Sequence, residues 1–217
     1  MHNTCQLCGE LITTQSGRAP FACGLLCGYC HEQLPALPTL KLTDDLPLCV
    51  GAFYDMPLKR VMARYKDKQD LSALLVLYHV LCQMQPDVPA DSVIVPVPTT
   101  KRRLTKRGFN PVLTLAKFLS YWWQMPIWQG IARVENELHQ RGLDKQARLS
   151  NVKDDFYVLG EPPARSLILF DDVVTTGATL SAMAQTIWRV HPKTKITAVG
   201  VLHGKPSLHL PVFDRFV

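Results

Sequence analysis

Four apolar residues, 167–170, run directly into two adjacent carboxylates, Asp171 and Asp172, and then into Val173-Val174-Thr175-Thr176-Gly177 and a helical stretch over 179–190. A short apolar run of this kind is a strand buried on both faces, and such a strand needs a sheet covered by helices. Open α/β sheets bind ligands at the carboxyl ends of their strands, where this order of residues puts the two carboxylates. The helix N-terminus behind them offers free backbone N–H groups and the positive end of the dipole. Thr175, Thr176 and Thr179 add hydroxyl donors, and Gly177 lets the backbone approach closely. Donors for a phosphate stand beside acceptors for sugar hydroxyls, a combination that fits ribose 5-phosphate. The plain alternative is a capped helix after a buried strand, with Asp and Thr serving only as caps.

The flanking sequence agrees with an α/β layout. A short strand is expected over 50–54 and a helix over 56–66 with Pro57 in its first turn. A second helix is expected over 71–83, with apolar residues at Leu71, Leu74, Leu75, Tyr78 and Leu81-Cys82. Residues 92–95 read as a buried strand ended by Pro96 and Pro98, residues 111–123 as a helix opened by Pro111, and 127–133 as a strand. The polar stretch 135–151 reads as a long mobile loop, and 196–202 as a further strand. Strands alternating with helices imply a parallel sheet covered on both faces. No internal repeat or low-complexity segment interrupts the pattern.

The N-terminal forty residues follow other rules. Five of the seven cysteines fall between residues 5 and 30, and Cys5-x2-Cys8 and Cys27-x2-Cys30 are separated by 18 residues. That is the spacing of a four-thiolate zinc site. Each pair presents two soft ligands to one tetrahedral ion, and Gly9 and Gly28 follow directly where a tight knuckle needs freedom. So short a segment cannot build a stable core without a staple, and metal binding supplies that folding energy. Four protein ligands leave no open position, so the expected role is structural. Cys23 and His31 are alternatives, either of which could replace one thiolate; with the paired knuckles as ligands, Cys23 is a spare thiol. A cysteine-rich loop without metal is the bland reading. Pro35, Pro38 and Pro47 mark 35–47 as a linker or extended connection. The expected division is a zinc-binding module over 1–45 and an α/β domain over 46–217.

Composition excludes little but excludes it firmly. The chain has 217 residues, of which 47% are hydrophobic, enough for a sizeable core and unlike a disordered chain. Met1-His2-Asn3-Thr4-Cys5 lacks the apolar region of a signal peptide. The apolar run 71–81 is broken by Ser72, Tyr78 and His79 and is too short to span a bilayer. A cytoplasmic location is expected, at most peripheral to the inner face of the membrane, and thiols there stay reduced. Lys+Arg number 24 against 18 Asp+Glu, a net charge of +6 that suits an anionic partner without proving one.

The positive charge is concentrated. Five of the seven residues from 101 to 107 are basic, and Gly108-Phe109-Asn110 follow. Lys101, Arg102, Arg103, Lys106 and Arg107 can grip phosphates and Phe109 can stack a base, which makes single-stranded DNA a candidate partner. Tyr121, Trp122 and Trp123 in the next helix, and the cysteine knuckles, are further candidate nucleic-acid surfaces. The competing readings are a solvated or pyrophosphate-binding turn for the basic run and core packing for at least one tryptophan.

The segment Phe170-Asp171-Asp172-Val173-Val174-Thr175-Thr176-Gly177-Ala178-Thr179 closely resembles the phosphoribosyl-pyrophosphate (PRPP) signature of type I phosphoribosyltransferases. That resemblance implies a phosphoribosyltransferase-like parallel sheet flanked by helices. It also implies ribose 2′- and 3′-hydroxyls on Asp171 and Asp172, and the 5′-phosphate on the loop from Thr175, Thr176 and Gly177 through Ala178 to Thr179. The cysteine knuckles, a Val-Pro-x-Pro segment, Arg103, Arg107-Gly108-Phe109-Asn110, Gln140, Leu143, Arg148, Asn151 and Phe156 together resemble the ComF/GntX family of competence-associated phosphoribosyltransferase-like proteins, over nearly the whole chain. Arg64-Tyr65 stands where that family often has Lys-Phe or Lys-Tyr, and Asp154-Asp155 where small residues are usual.

The family resemblance implies a role in natural transformation, handling incoming single-stranded DNA, with a competence helicase or DNA-uptake channel as partner. By analogy with the wider fold, the loop after Val95 faces the pyrophosphate of PRPP, with Lys101, Arg102 and Arg103 in reach. Residues 135–151 would cover the site, with Arg148 contacting pyrophosphate. Arg103 and Arg148 are then the charges expected to act in catalysis, with Mg²⁺ accompanying PRPP. The resemblance favours a PRPP-binding competence protein. The alternatives are an active transferase acting on a nitrogen acceptor the sequence does not identify, and a regulator that senses PRPP.

Overall fold

The computed structural model describes residues 4–12, 25–34, 37–133 and 156–204. Its centre is a five-stranded sheet in the order β1-β2-β7-β6-β3, built from β1 (Leu40–Thr43), β2 (Leu46–Phe53), β3 (Val93–Pro96), β6 (Ser166–Val174) and β7 (Lys195–His203). Only β1 is antiparallel to its neighbour; the pairs β2–β7, β6–β7 and β3–β6 are parallel. This is the α/β class expected, with a largely parallel sheet flanked by helices and a small cysteine module at the N-terminus. The inner strands are hydrophobic on both faces because both faces are covered: Leu167, Ile168, Leu169 and Phe170 of β6 and Ala198, Val199, Val201 and Leu202 of β7 are all fully buried.

Helices α2 (Leu58–Lys68), α3 (Leu71–Cys82), α5 (Pro111–Trp123) and α6 (Ala178–Val190) supply the cover. The boundaries follow from capping. Asp70 accepts from Ser72 N at 2.9 Å and Ala73 N at 3.2 Å, which starts α3. Asn110 Oδ1 accepts from Leu113 N at 3.1 Å, and Pro111 takes the first helical position of α5, where its missing N–H costs nothing. Gly51 lets α3 close on β2, since a Cβ there would run into Val80 and Met84.

Four sequence expectations change. The connection expected over 35–47 contains β1, which pairs with β2 through Leu40↔Leu48 and Thr43↔Leu46, so β2 begins well before residue 50. Pro47 is tolerated because it lies near the start of β2 and faces Lys41 of the edge strand. The basic run 101–107 is a helix, α4 (Lys101–Arg107), rather than a loop, with Thr100 accepting from Arg103 N and Gly108 closing it at φ 73°. The strand expected over 127–133 shrinks to β4 (Ile131–Arg133), paired antiparallel with β5 (Phe156–Val158). Residues 126–128 cover the free edge of β3, Ile94 N donating to Pro126 O and Trp128 N to Ile94 O. The fourth change, at the end of β6, shapes the site.

The cysteine module rests on this frame. Cys5, Leu25, Leu26 and Cys30 belong to the same hydrophobic core as the sheet. His31 in α1 (Gly28–Glu32) places Nδ1 3.0 Å from His79 Nε2 of α3, and Arg64 of α2 donates to Gln6 Oε1 at 3.2 Å.

Candidate functional site

Strand β6 does not end at Phe170. It continues through Asp171 and Asp172 to Val174, because β7 runs on beside it with Asp171 opposite Gly200 and Val174 opposite His203. On its other side β3 stops at Pro96, opposite Phe170. The two aspartates therefore extend past the end of β3, at the carboxyl end of the sheet, held by hydrogen bonds on one flank only. Val173 and Val174 belong to the strand, and the turn proper is Thr175 to Gly177.

The turn leads into α6 through Gly177, which adopts φ 75° and caps the helix without a side chain. A Cβ at that position would collide with Leu42 of β1. The positive φ is what favours glycine there, while the Leu42 side chain would have to move aside for a Cβ. Thr175, Thr176 and Ala178 are exposed and Thr179 is half-buried. Thr176 Oγ1 lies 3.4 Å from Ala178 N. Exposed hydroxyls and the first N–H groups of a thirteen-residue helix thus meet at one turn.

The carboxylates beside the turn differ. Asp172 is 6% exposed and its Oδ1 takes an ion pair from Lys66 Nζ at 2.7 Å. Asp171 is half-buried, and its Oδ1 accepts from Asp172 N at 2.9 Å. Burial, followed by the negative charge of Asp172, pushes the Asp171 carboxyl up to about 7, against the opposing pull of that backbone bond, Lys66 and Arg103. Sequence reading places a helix over 56–66 but gives Lys66 no part in the site. A signal existed in a basic residue directly after Tyr65, but nothing local says that α2 ends beside β6.

Arg103 of α4 acts on the Asp171 carboxyl electrostatically, less strongly than Lys66 does. Lys101, Arg102, Arg103 and Lys106 are exposed along α4, and Arg107 is half-buried at its end. Phe109 is not offered to solvent as a free stacking platform. Its ring meets Tyr65 edge-on at 5.5 Å, and it packs against the core. The aromatics of α5 divide: Tyr121 is 70% exposed, Trp123 packs against the core, and Trp122 lies parallel to Phe118, itself stacked on Tyr78 at 3.9 Å. Arg148, Gln140, Leu143, Asn151 and the loop 135–151 lie outside the described residues, as does Cys23.

At the other end of the chain the four expected cysteines converge. The sulfurs of Cys5, Cys8, Cys27 and Cys30 all lie within 4.8 Å of one another, with Cys8 Sγ and Cys27 Sγ 3.7 Å apart. A tetrahedral ion with metal–sulfur bonds of about 2.3 Å separates its sulfurs by about 3.8 Å, so the cluster fits a metal ion. His31 is turned to His79 instead of to the sulfurs. Burial and the surrounding thiols push the Cys30 thiol well above its usual range, a cost that a bound cation would remove.

The chain is 30% identical over 171 residues to Competence protein F of Haemophilus influenzae, covering 74% of this chain and 71% of that one. It is 28% identical over 197 residues to DNA utilization protein YhgH of Escherichia coli K12, covering 85% and 84%, and 28% identical over 153 residues to Competence protein ComFC of Bacillus subtilis, covering 68% and 61%. Among solved structures, orotate phosphoribosyltransferase from Aeropyrum pernix aligns with TM-score 0.37 and 18% identity over 69% of this chain and 66% of that one. Xanthine-guanine-hypoxanthine phosphoribosyltransferase of Helicobacter pylori aligns with TM-score 0.35 and 20% identity over 66% and 87%. No protein-family model matches the sequence.

Proposed function

The chain belongs to the ComF family of competence-associated proteins, and from that membership we propose that it serves DNA uptake or utilization by binding PRPP at the β6–α6 turn and single-stranded DNA along α4. One observation carries this reading: a basic helix stands beside paired carboxylates and a phosphate-type turn, all at one end of the sheet. Asp171 and Asp172 would take the ribose hydroxyls. The loop from Thr175 to Thr179 would take the 5′-phosphate, and Arg103, with Arg148, the pyrophosphate. Mg²⁺ would accompany PRPP, bridging its pyrophosphate oxygens and ribose hydroxyls, as hard oxygen ligands favour. A structural zinc ion would sit on Cys5, Cys8, Cys27 and Cys30, supplying folding energy and no open coordination position. Lys101, Arg102, Arg103, Lys106 and Arg107 would meet DNA phosphates. No helix among the described residues is long and apolar enough to cross a membrane.

The test is fluorescence anisotropy of a labelled single-stranded oligonucleotide at several salt concentrations, with and without Mg²⁺ and PRPP. Binding should weaken with salt. The slope should be shallower by about two to three charges when Lys101, Arg102 and Arg103 are changed to Ala. Competition by PRPP would mean that the two sites overlap or are coupled. Absence of DNA binding at low salt sinks the DNA part of the reading and turns attention to pyrophosphate release with candidate nitrogen acceptors. PRPP binding that survives Asp171→Asn together with Asp172→Asn would sink the ligand part.

A further inference from the structure

Lys66 sits in the last turn of α2, 106 residues away in sequence from the carboxylate it meets. Its Nζ lies 2.7 Å from Asp172 Oδ1, and the two side chains are 19% and 9% exposed. Exposed ion pairs keep most of their hydration; this one has surrendered most of it. The end of α2 is also held in place. Tyr65 is buried and its hydroxyl donates to Pro111 O at 2.9 Å, while Gln69 Nε2 donates to Arg107 O at 3.1 Å. Lys66 is therefore presented by an anchored helix end.

Two carboxylates side by side have limited choices: they gather a cation, share a proton, or are neutralised by the protein. Among the described residues, the charged groups acting on this pair are Lys66 from α2 and Arg103 from α4, with the phenol of Tyr65 near Asp172. We propose that Lys66 is a positioning residue of the sugar-phosphate site. It occupies one oxygen of Asp172 and neutralises it from within the protein, so that the aspartate pair receives vicinal sugar hydroxyls as hydrogen-bond acceptors instead of binding a divalent cation. The inference rests on the reading of Asp171 and Asp172 as ribose acceptors. The divalent ion that accompanies PRPP is then left to the ligand's own oxygens. Lys66 and Arg103 also oppose proton uptake by Asp171, which keeps that acceptor available near neutral pH.

The experiment uses the full chain as wild type, Lys66→Met, which keeps the apolar stem, and Lys66→Arg. Two probes are applied separately: Mn²⁺ alone, followed by the electron paramagnetic resonance of the free ion, and ribose 5-phosphate without divalent metal, followed by calorimetry across neutral pH. Lys66→Met should bind Mn²⁺ about tenfold more tightly than wild type. It should bind ribose 5-phosphate about tenfold more weakly at pH 7, with the midpoint of that pH dependence moved upward by about one unit. Lys66→Arg should return both readouts towards wild type, because an arginine keeps the charge. A structural role alone would lower the melting temperature without moving the pH midpoint. Unchanged Mn²⁺ affinity with an unmoved midpoint in Lys66→Met overturns the proposal. If wild type binds neither ribose 5-phosphate nor PRPP, the sugar-phosphate reading falls, and the Mn²⁺ comparison still decides whether Lys66 keeps cations off the pair. Should Lys66→Met fail to fold, Lys66→Gln is measured in its place.

Discussion

At the scale of single residues, Asp171 is the group whose environment has the most measurable consequence. Burial, and then the charge of Asp172, pushes its carboxyl up to about 7 in the folded protein, against about 3.9 in an unfolded chain. Between those values the folded state holds a proton that the unfolded state has lost. The contribution to stability is complete below about pH 4 and is lost as pH rises through 7. Asp171→Asn should therefore raise the melting temperature at pH 8 by about 2–4 °C and flatten the decline between about pH 4 and 7. Thermal melts at several pH values check this, and parallel curves for the two proteins would refute it. Gly177 makes the opposite case. Alanine there meets a positive φ and the side chain of Leu42 together. Gly177→Ala should cost about 1–3 kcal/mol and weaken PRPP binding, read by melting and calorimetry.

Among the elements, the junction of α2 and α3 is held by one small network. Arg64 pairs with Asp70 at 2.6 Å, Asp70 caps α3, and Arg64 also reaches Gln6 beside the first cysteine. Asp70→Ala removes the cap and the ion pair together and should lower stability by about 1–2 kcal/mol, visible as a drop of several degrees in the melt. An unchanged melting temperature would show that neighbouring packing sets the start of α3. These two helices also show what local sequence can reveal. The helix over 71–83 is α3 and the one over 111–123 is α5, because apolar periodicity and capping side chains act within a few residues. The prolines at 35, 38 and 47 mark a linker or extended connection, and β1 forms within it because β2 offers it a paired edge. Likewise β6 outruns its apolar core because β7 continues beside it.

Across the whole molecule, the cysteine module and the sheet share a core, and His31–His79 and Arg64–Gln6 join them. Loss of metal should therefore be felt beyond the first thirty residues. The protein as purified should contain one zinc per chain by elemental analysis, and a strong chelator should lower its melting temperature and raise amide hydrogen exchange in α2 and α3. Exchange changes confined to the module would show that the two parts are energetically separate. The groups of the candidate site were legible in the sequence. Cysteine spacing, the carboxylate pair, the threonine-glycine turn and the basic run each lie within a single short stretch, from Cys5 to Cys30 in the longest case, where spacing decides which atoms can meet. The partners of those groups were decided by tertiary structure. That Lys66 neutralises Asp172, that His31 turns to His79 and away from the sulfurs, and that Phe109 packs on Tyr65 depends on sheet order and on which helix end lies over which strand. Such contacts join residues 44 to 106 positions apart, a separation at which no local propensity selects the partner.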